Sequence, residues 1–230
     1  MSPDQTFLTI LQFADGLFPA GGFAHSFGLE TYVQDGRVRD RRGLEAFIVA
    51  HLEGSAGPAD AAAAAIASRL AHAGDADGWV ELDARLDAMK SVPELRAASR
   101  QMGRQTLRIA AGLGDDPFLA RLARAVDESR AVGHHAAVFG AALGRGGATP
   151  ERVAAAYLYS TVALLVGAGL RLISLGQLEG QRALASMRPV VERLAADAAT
   201  ATVDDLWSFS PALELAAIRH ATLEARLFRS

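Results

Sequence analysis

Between Asp15 and Glu30 the chain reads Asp-Gly-Leu-Phe-Pro-Ala-Gly-Gly-Phe-Ala-His-Ser-Phe-Gly-Leu-Glu, its densest grouping of residues that could do chemistry. Pro19 fixes its own φ, while Gly21 and Gly22 permit positive φ and close backbone approach. Such a turn can place His25 and Ser26 in one rigid position. Hydrolysis is poorly supported: His25 and Ser26 are sequence neighbours, whereas a nucleophile and its base must converge through a hydrogen bond with a third group orienting the base. Nor is Gly21-Gly22 a phosphate loop, because no Gly-Lys-Ser/Thr follows. Two readings of the turn stay open: a structural corner, or a surface built to meet another protein.

Metal chemistry meets a similar limit. The six histidines are His25, His51, His72, His134, His135 and His220. A buried metal site needs several ligands converging on one point, and no His-x-x-x-His or Glu-x-x-His pair offers that. His134 and His135 are adjacent, so on a helix they would point about 100° apart. With no cysteine there is neither a disulfide framework nor a thiolate site. No tightly bound cofactor or metal is expected. Weak, transient contact stays open, above all at a dimer axis, where one ligand becomes two.

The C-terminal segment carries a second pattern. Ala216, His220, Leu223 and Leu227 fall at i, i+4, i+7 and i+11, an apolar stripe; Arg219, Thr222, Arg226 and Arg229 form a basic one. This is either a solvated amphipathic end or a docking helix whose guanidinium groups meet carboxylates on another protein. Phe228 is the natural anchor at its tip.

The elements that must position these residues are helices throughout. Ser2-Pro3-Asp4-Gln5 reads as N-cap, proline at the first helical position and capping-box glutamine, with Phe7, Ile10, Leu11 and Ala14 on one face. Ser91-Val-Pro93-Glu94 repeats the capping logic before Leu95 to Ala111. Asp116-Pro117 and Ser210-Pro211 open two more helices. Alanine runs such as 61–67 favour helix, and alternating β-branched runs are absent. Gly54 to Pro58, Gly74 to Gly78, Gly112 to Pro117 and Gly144 to Pro150 read as interhelical turns. The expectation is a single all-α domain over residues 1–230, about ten helices around a buried central one. That central helix is Val153 to Leu170, which carries no charge. Its length reaches the lower limit for a membrane span, but its alanine and glycine content, soluble-type start at Thr149-Pro150-Glu151 and terminal Arg171 favour a bundle centre.

A formal net charge of −3 over 230 residues does not suggest a nucleic-acid binder or a polybasic membrane binder. Met1 to Ile10 lacks the basic region of a signal peptide, so the cytoplasm is the expected location.

Four blocks, in order, give the chain a wider likeness. The first runs from Leu11-Gln12 through Glu30. The second is Glu81-Leu-Asp83 with Leu86, then Pro93-Glu-Leu-Arg96 to Gln101-Met-Gly-Arg104. The third is Gly133-His134 with Val138 and Gly140. The fourth runs from Tyr157 through Arg171-Leu-Ile-Ser-Leu-Gly-Gln177 and Gly180-Gln-Arg182 to Phe209-Ser-Pro211, Arg219-His220 and Arg226-Leu-Phe-Arg-Ser230. In these the chain resembles the urease accessory protein family UreF over essentially its whole length. Gly16, where a serine is common, and His135, where an aromatic is frequent, are small departures.

The resemblance implies an all-α accessory protein without catalysis of its own, acting in maturation of the nickel enzyme urease. It implies a homodimer that binds UreD (also called UreH), recruits the GTPase UreG and docks on apo-urease, with nickel in transit. Pro19, Gly21, Gly22, Phe23, His25, Ser26 and Glu30 are then partner-binding candidates, as are Arg219, His220, Arg226, Leu227, Phe228 and Arg229. On this reading the C-terminal tail is loose alone, and the partner buries Leu227 and Phe228 on ordering it. His134 and Gln177 are candidate walls of a nickel passage. The alternative is direct activation of the GTPase by Arg219, Arg226 or Glu30 supplied in trans.

Overall fold

The computed structural model describes residues 2–229, so Met1 and Ser230 lie outside the described residues. Among the described residues there is no strand, and twelve α-helices follow one another. They are α1 (Pro3–Ala14), α2 (Leu29–Gln34), α3 (Arg41–His51), α4 (Ala62–Ala73), α5 (Ala76–Met89), α6 (Pro93–Gly112), α7 (Pro117–Asp127), α8 (His135–Arg145), α9 (Pro150–Leu172), α10 (Gln177–Ser186), α11 (Arg188–Thr200) and α12 (Pro211–His220). The start signals largely act as expected. Ser2 and Gln5 form a reciprocal capping box, and the Asp116 carboxylate accepts from the Phe118 and Leu119 N–H groups. Ser91 does not cap α6; Val92 takes the N-cap position, and the Ser91 hydroxyl instead reaches Glu214 on α12 at 3.3 Å.

One expected break is not a break. Leu52–Ala61 is a wide π-helical stretch that joins α3 to α4 without interruption, with Pro58 inside it. Within this stretch the Gly54 carbonyl accepts the Phe209 N–H at 2.8 Å as residues 207–209 cross over the helix. A Cβ on Gly54 would stand 3.0 Å from the Phe209 oxygen, so the crossing strand needs glycine beneath it.

The core is built on close helix crossings. α4 lies against α8, and α9 runs between α4, α8, α10 and α11. Small residues permit this: a Cβ on Gly140 of α8 would fall 2.1 Å from the Ala64 oxygen, and one on Gly144 would fall 2.8 Å from Ser68 Cα. Trp79 is wholly buried and donates its indole N–H to the Ala137 oxygen at 2.9 Å. α9 is long and apolar enough to span a bilayer, but other helices enclose most of it. It is not buried all round, as expected of a central helix: Tyr159 is exposed, and Ser160, Ala163, Leu164 and Gly167 border an open groove. On α1 the buried residues are Thr6 and Phe13, and Phe7, Leu8 and Leu11 face outward. Of the predicted face, Ile10 and Ala14 pack against the core while Phe7 and Leu11 turn to solvent.

These crossings predict a large effect from a small change. Gly140→Ala should improve helix propensity by about 1 kcal/mol, but its methyl must displace the α4 backbone, so a net loss of about 2–3 kcal/mol is expected in urea unfolding. An unchanged midpoint would contradict the crossing described here.

Candidate functional site

The turn and the tail, nearly two hundred residues apart, form one structure. Gly21 and Gly28 have φ of 87° and 86°, and Phe27 between them has 52°. This left-handed pair of corners drops the chain into α2 and turns Glu30 inward. The fit is tight: a Cβ on Gly28 would meet the Ala217 nitrogen and the Leu213 oxygen of α12, both at 3.3 Å. Thr31 donates its hydroxyl to the Ala216 oxygen at 2.9 Å, pinning α2 to α12 a second time.

Glu30 is the centre. It is only 3% exposed, and His220 is 0% exposed. The His220 Nε2 lies 2.9 Å from Glu30 Oε2. The same carboxylate accepts the backbone N–H of Leu227 at 2.7 Å and that of Phe228 at 3.1 Å. Burial alone would raise the Glu30 pKa; the Leu227 N–H, the His220 ring and the Phe228 N–H outweigh it and hold the carboxyl below its ordinary value. The other ring nitrogen of His220 faces Glu94 of α6 at 3.4 Å, and Glu94 also meets Arg226 at 3.6 Å.

Further contacts close the tail over the turn. The Arg229 N–H donates to the Ala24 oxygen at 2.8 Å, and Gln34 donates its amide to the Ala225 oxygen at 2.9 Å. The Arg171 guanidinium sits 4.2 Å from the centre of the Phe228 ring and donates to the Phe23 oxygen at 2.9 Å. His25 and Ser26 are buried under this cover. Burial and the nearby Arg229 charge lower the His25 pKa, with Glu94 opposing them. Arg219 stands apart, paired with Asp35 at 2.8 Å on the exposed rim.

The predicted amphipathic end is therefore corrected. α12 stops at His220, so Leu223 and Leu227 do not extend its apolar stripe, and Arg226 and Arg229 do not extend a basic one. Thr222 turns its own N–H and hydroxyl back to the Arg219 oxygen, the Leu223 N–H turns back to the His220 oxygen, and further on Glu30 takes the N–H groups of Leu227 and Phe228. Phe228, expected to be buried by a partner, is buried by this chain at 4% exposed, whereas Leu227 remains 61% exposed. With Pro19 and Phe23 also exposed, the seam where turn meets tail presents an apolar rim over a polar, fully paired interior. Glu94, Thr31 and Arg171 belong to this site and were not singled out from sequence; Arg171 had a signal, as the first charge after a long uncharged helix.

A second feature is a chain of hollows beside the turn. A groove of about 340 Å³ between α1, the turn and α9 is lined by Phe13, Phe18, Phe23, Leu164 and Arg171. It shares Phe27, Met102, His135, Tyr157 and Thr161 with a polar hollow of about 60 Å³ that also holds His51, Asp60 and Lys90. That hollow shares His51 and Lys90 with a third, which reaches Ser91, Ser208 and Glu214. Burial drives the pKa of both His51 and His135 down to about 4, with Asp60 opposing and Lys90 reinforcing. Both rings are thus neutral Lewis bases at neutral pH. The candidate walls named from sequence are not among these lining residues. His134 is fully buried between Ser99 and Asp87, its N–H bound by Asp83, and Gln177 is exposed at the start of α10. Among the described residues no group of three or more His, Cys, Asp or Glu is placed to hold a metal ion.

A sequence model of the UreF family matches residues 38–188. Relatives described as urease accessory protein UreF align over nearly the whole chain. One from Bacillus sp. (strain TB-90) is 32% identical, covering 97% of this chain and 98% of the relative. One from Arthrobacter sp. (strain FB24) is 34% identical over 97% and 96%. One from Xanthobacter autotrophicus (strain ATCC BAA-1158 / Py2) is 37% identical over 93% and 86%.

The clamp gives a test independent of any partner. Glu30→Ala leaves two N–H groups and a buried imidazole without their acceptor, so tryptic cleavage at Arg226 should accelerate by about tenfold or more with helicity unchanged. Because the folded-state pKa of Glu30 is lowered, its contribution is complete above the unfolded value of 4.5 and is lost as pH falls through the folded value. Wild-type cleavage by an acid-tolerant protease should therefore move to the tail in that acid range. Equal cleavage of mutant and wild type would exclude the clamp.

Proposed function

The chain belongs to the UreF family of urease accessory proteins, and from that premise we propose that it is a dimeric cytoplasmic adaptor in urease maturation. It joins UreD (UreH) and the GTPase UreG to apo-urease and assists nickel insertion without catalysis of its own. The observation that carries this reading is the Glu30–His220 clamp. It gathers the Pro19–Glu30 turn and the C-terminal tail, the two segments expected to meet partners, into one surface with Pro19, Phe23 and Leu227 outward. A rigid polar interior beneath an exposed apolar rim suits protein recognition. Ser99, His134 and Asp87 are hydrogen-bonded in a row, but the ring is fully buried and Asp87 is also held by Arg100, which suits a structural link better than chemistry; no nucleic acid or membrane is required.

Self-association is supported by the exposed apolar side chains of Phe7, Leu8 and Leu11 on α1, which packs against α9, and of Tyr159 on α9. Exposed apolar patches of this kind mark association sites. Direct activation of the GTPase draws less support. An arginine finger must reach out to a partner's nucleotide, whereas Glu30 is buried and Arg219 is held by Asp35.

Co-expression with UreD-type and UreG-type proteins, followed by size-exclusion chromatography with light scattering, tests the adaptor. A dimeric core that recruits UreG only with UreD present is the expected outcome. Truncation after Arg219 should abolish UreD co-purification, since it removes His220 and the whole tail. Full retention by the truncated chain would sink the assignment of that surface.

A further inference from the structure

Away from the clamp, α3 opens with a charge arrangement that local stability disfavours. Arg37, Arg39, Arg41 and Arg42 fall close together in the sequence, and the first turn of α3 carries no acidic residue. Cations at a helix N-terminus oppose the macrodipole, where carboxylates are favoured. Arg41 is matched by Glu45 at 2.7 Å and by Glu179 at 2.8 Å. Among the described residues no carboxylate lies within ion-pair distance of the exposed Arg37, Arg39 or Arg42. Asp35 is taken by Arg219, and Asp40 caps α3 by accepting the Gly43 N–H at 2.8 Å. These charges border an open groove of about 390 Å³ between α2, α3 and the start of α12. Gly43, Ala46, Phe47 and Ala50 line it from α3 at i, i+3, i+4 and i+7, and Phe209 and Leu213 line it from the other side. Phe209 is 75% exposed, yet its backbone is fixed by the bond to the Gly54 oxygen. Arg37 itself lines the groove, with its guanidinium 5.5 Å from the centre of the Tyr32 ring. Arg39 and Arg42 adjoin the lining residues Val38 and Gly43 in sequence.

We propose that this groove docks an amphipathic helix of a partner protein whose apolar stripe is flanked by carboxylates. A helix presents anchors at i, i+3 or i+4, and i+7, and an apolar groove along another helix receives them. Its carboxylates meet the guanidinium groups of Arg37, Arg39 and Arg42 and the positive end of α3. Charge identifies the occupant: a basic or uncharged helix would leave three guanidinium groups without counter-ions beside an apolar face. A lipid surface fits less well, because interfacial binding needs apolar side chains that protrude, whereas Val38, Phe47 and Leu213 are buried in the floor. The groove shares no lining residue with the rim of Pro19, Phe23 and Leu227. It therefore adds a second docking surface to the adaptor reading, and rests on that reading only in taking the occupant to be a protein. One helix serves both surfaces, since α12 carries Leu213 in the groove and His220 in the clamp.

Fluorescence anisotropy with the full chain tests this. The probe is a labelled synthetic amphipathic helix of Leu, Ala and Glu, compared with its counterpart in which Lys replaces Glu. The acidic peptide should bind about tenfold or more tighter than the basic one, and the difference should collapse at about 1 M salt, where charges are screened beyond about 3 Å. Arg39→Glu combined with Arg42→Glu should remove that preference. Ala46→Trp, which fills the groove without changing its charge, should weaken acidic-peptide binding by about tenfold. All three positions are exposed, so helicity should be unchanged; should Ala46→Trp lose it, Ala50→Trp gives the same comparison one turn on. Equal affinity for the two peptides, or acidic-peptide binding that survives the tryptophan in a folded variant, would overturn the proposal. So would capture of phosphatidylserine vesicles in preference to the peptide. Each result is independent of the adaptor reading, which is decided by co-purification with UreD-type and UreG-type proteins.

Discussion

The carboxylate of Glu30 is the constraint on which the functional end of this molecule depends. A buried carboxylate is costly unless its acceptor sites are filled. Here they are filled by two backbone N–H groups of an irregular tail and by the ring of a buried histidine whose other nitrogen faces Glu94. Each partner needs the other. The tail has no regular structure to satisfy Leu227 and Phe228, and Glu30 has no solvent. Removing either side leaves unsatisfied polar groups in the interior, so the turn, α12 and the tail behave as one unit.

The helical frame around that unit is set by where side chains are absent. Gly140 and Gly144 let α8 lie on α4 at backbone contact, and Gly54 lets residues 207–209 cross the π-helical stretch. That crossing is held by the Gly54 carbonyl, which accepts the Phe209 N–H, and the segment so fixed leads directly into α12. The same widened stretch carries Asp60 into the polar hollow.

Much of this was legible in the sequence. Proline with a capping residue marked the starts of α1, α7 and α9, and the uncharged run from Val153 marked the central helix. The turn at Pro19–Glu30 and the tail were both visible as unusual, but their union was not, because nothing in local spacing links Glu30 to His220. Periodicity misled at the C-terminus, where Leu223 and Leu227 keep helical spacing although the helix has ended in turns at Thr222 and Leu223, and a tertiary acceptor, Glu30, holds the tail further on. Gly54-to-Pro58 read as a loop because glycine and proline usually break helices, whereas here the chain stays helical in the wider π form, with residues 207–209 crossing over it. His134 was chosen over His51 and His135 on motif position alone. Burial and the approach of α3, α8 and α9 decide which imidazoles face a cavity, and those are properties of packing.

The distribution of charge through the hollows follows from the same packing. Two imidazoles held neutral by burial can donate electron pairs, but a closed site would also need anionic ligands converging with them, and the one carboxylate lining the hollow, Asp60, is already matched by Lys90. A protein built to keep a metal would gather its ligands and leave them unpaired. This chain spreads them along a seam between α3, α8 and α9 and pairs the acidic one with the Lys90 ammonium, so that among the described residues neither ligand spacing nor a cluster in the fold makes a metal site.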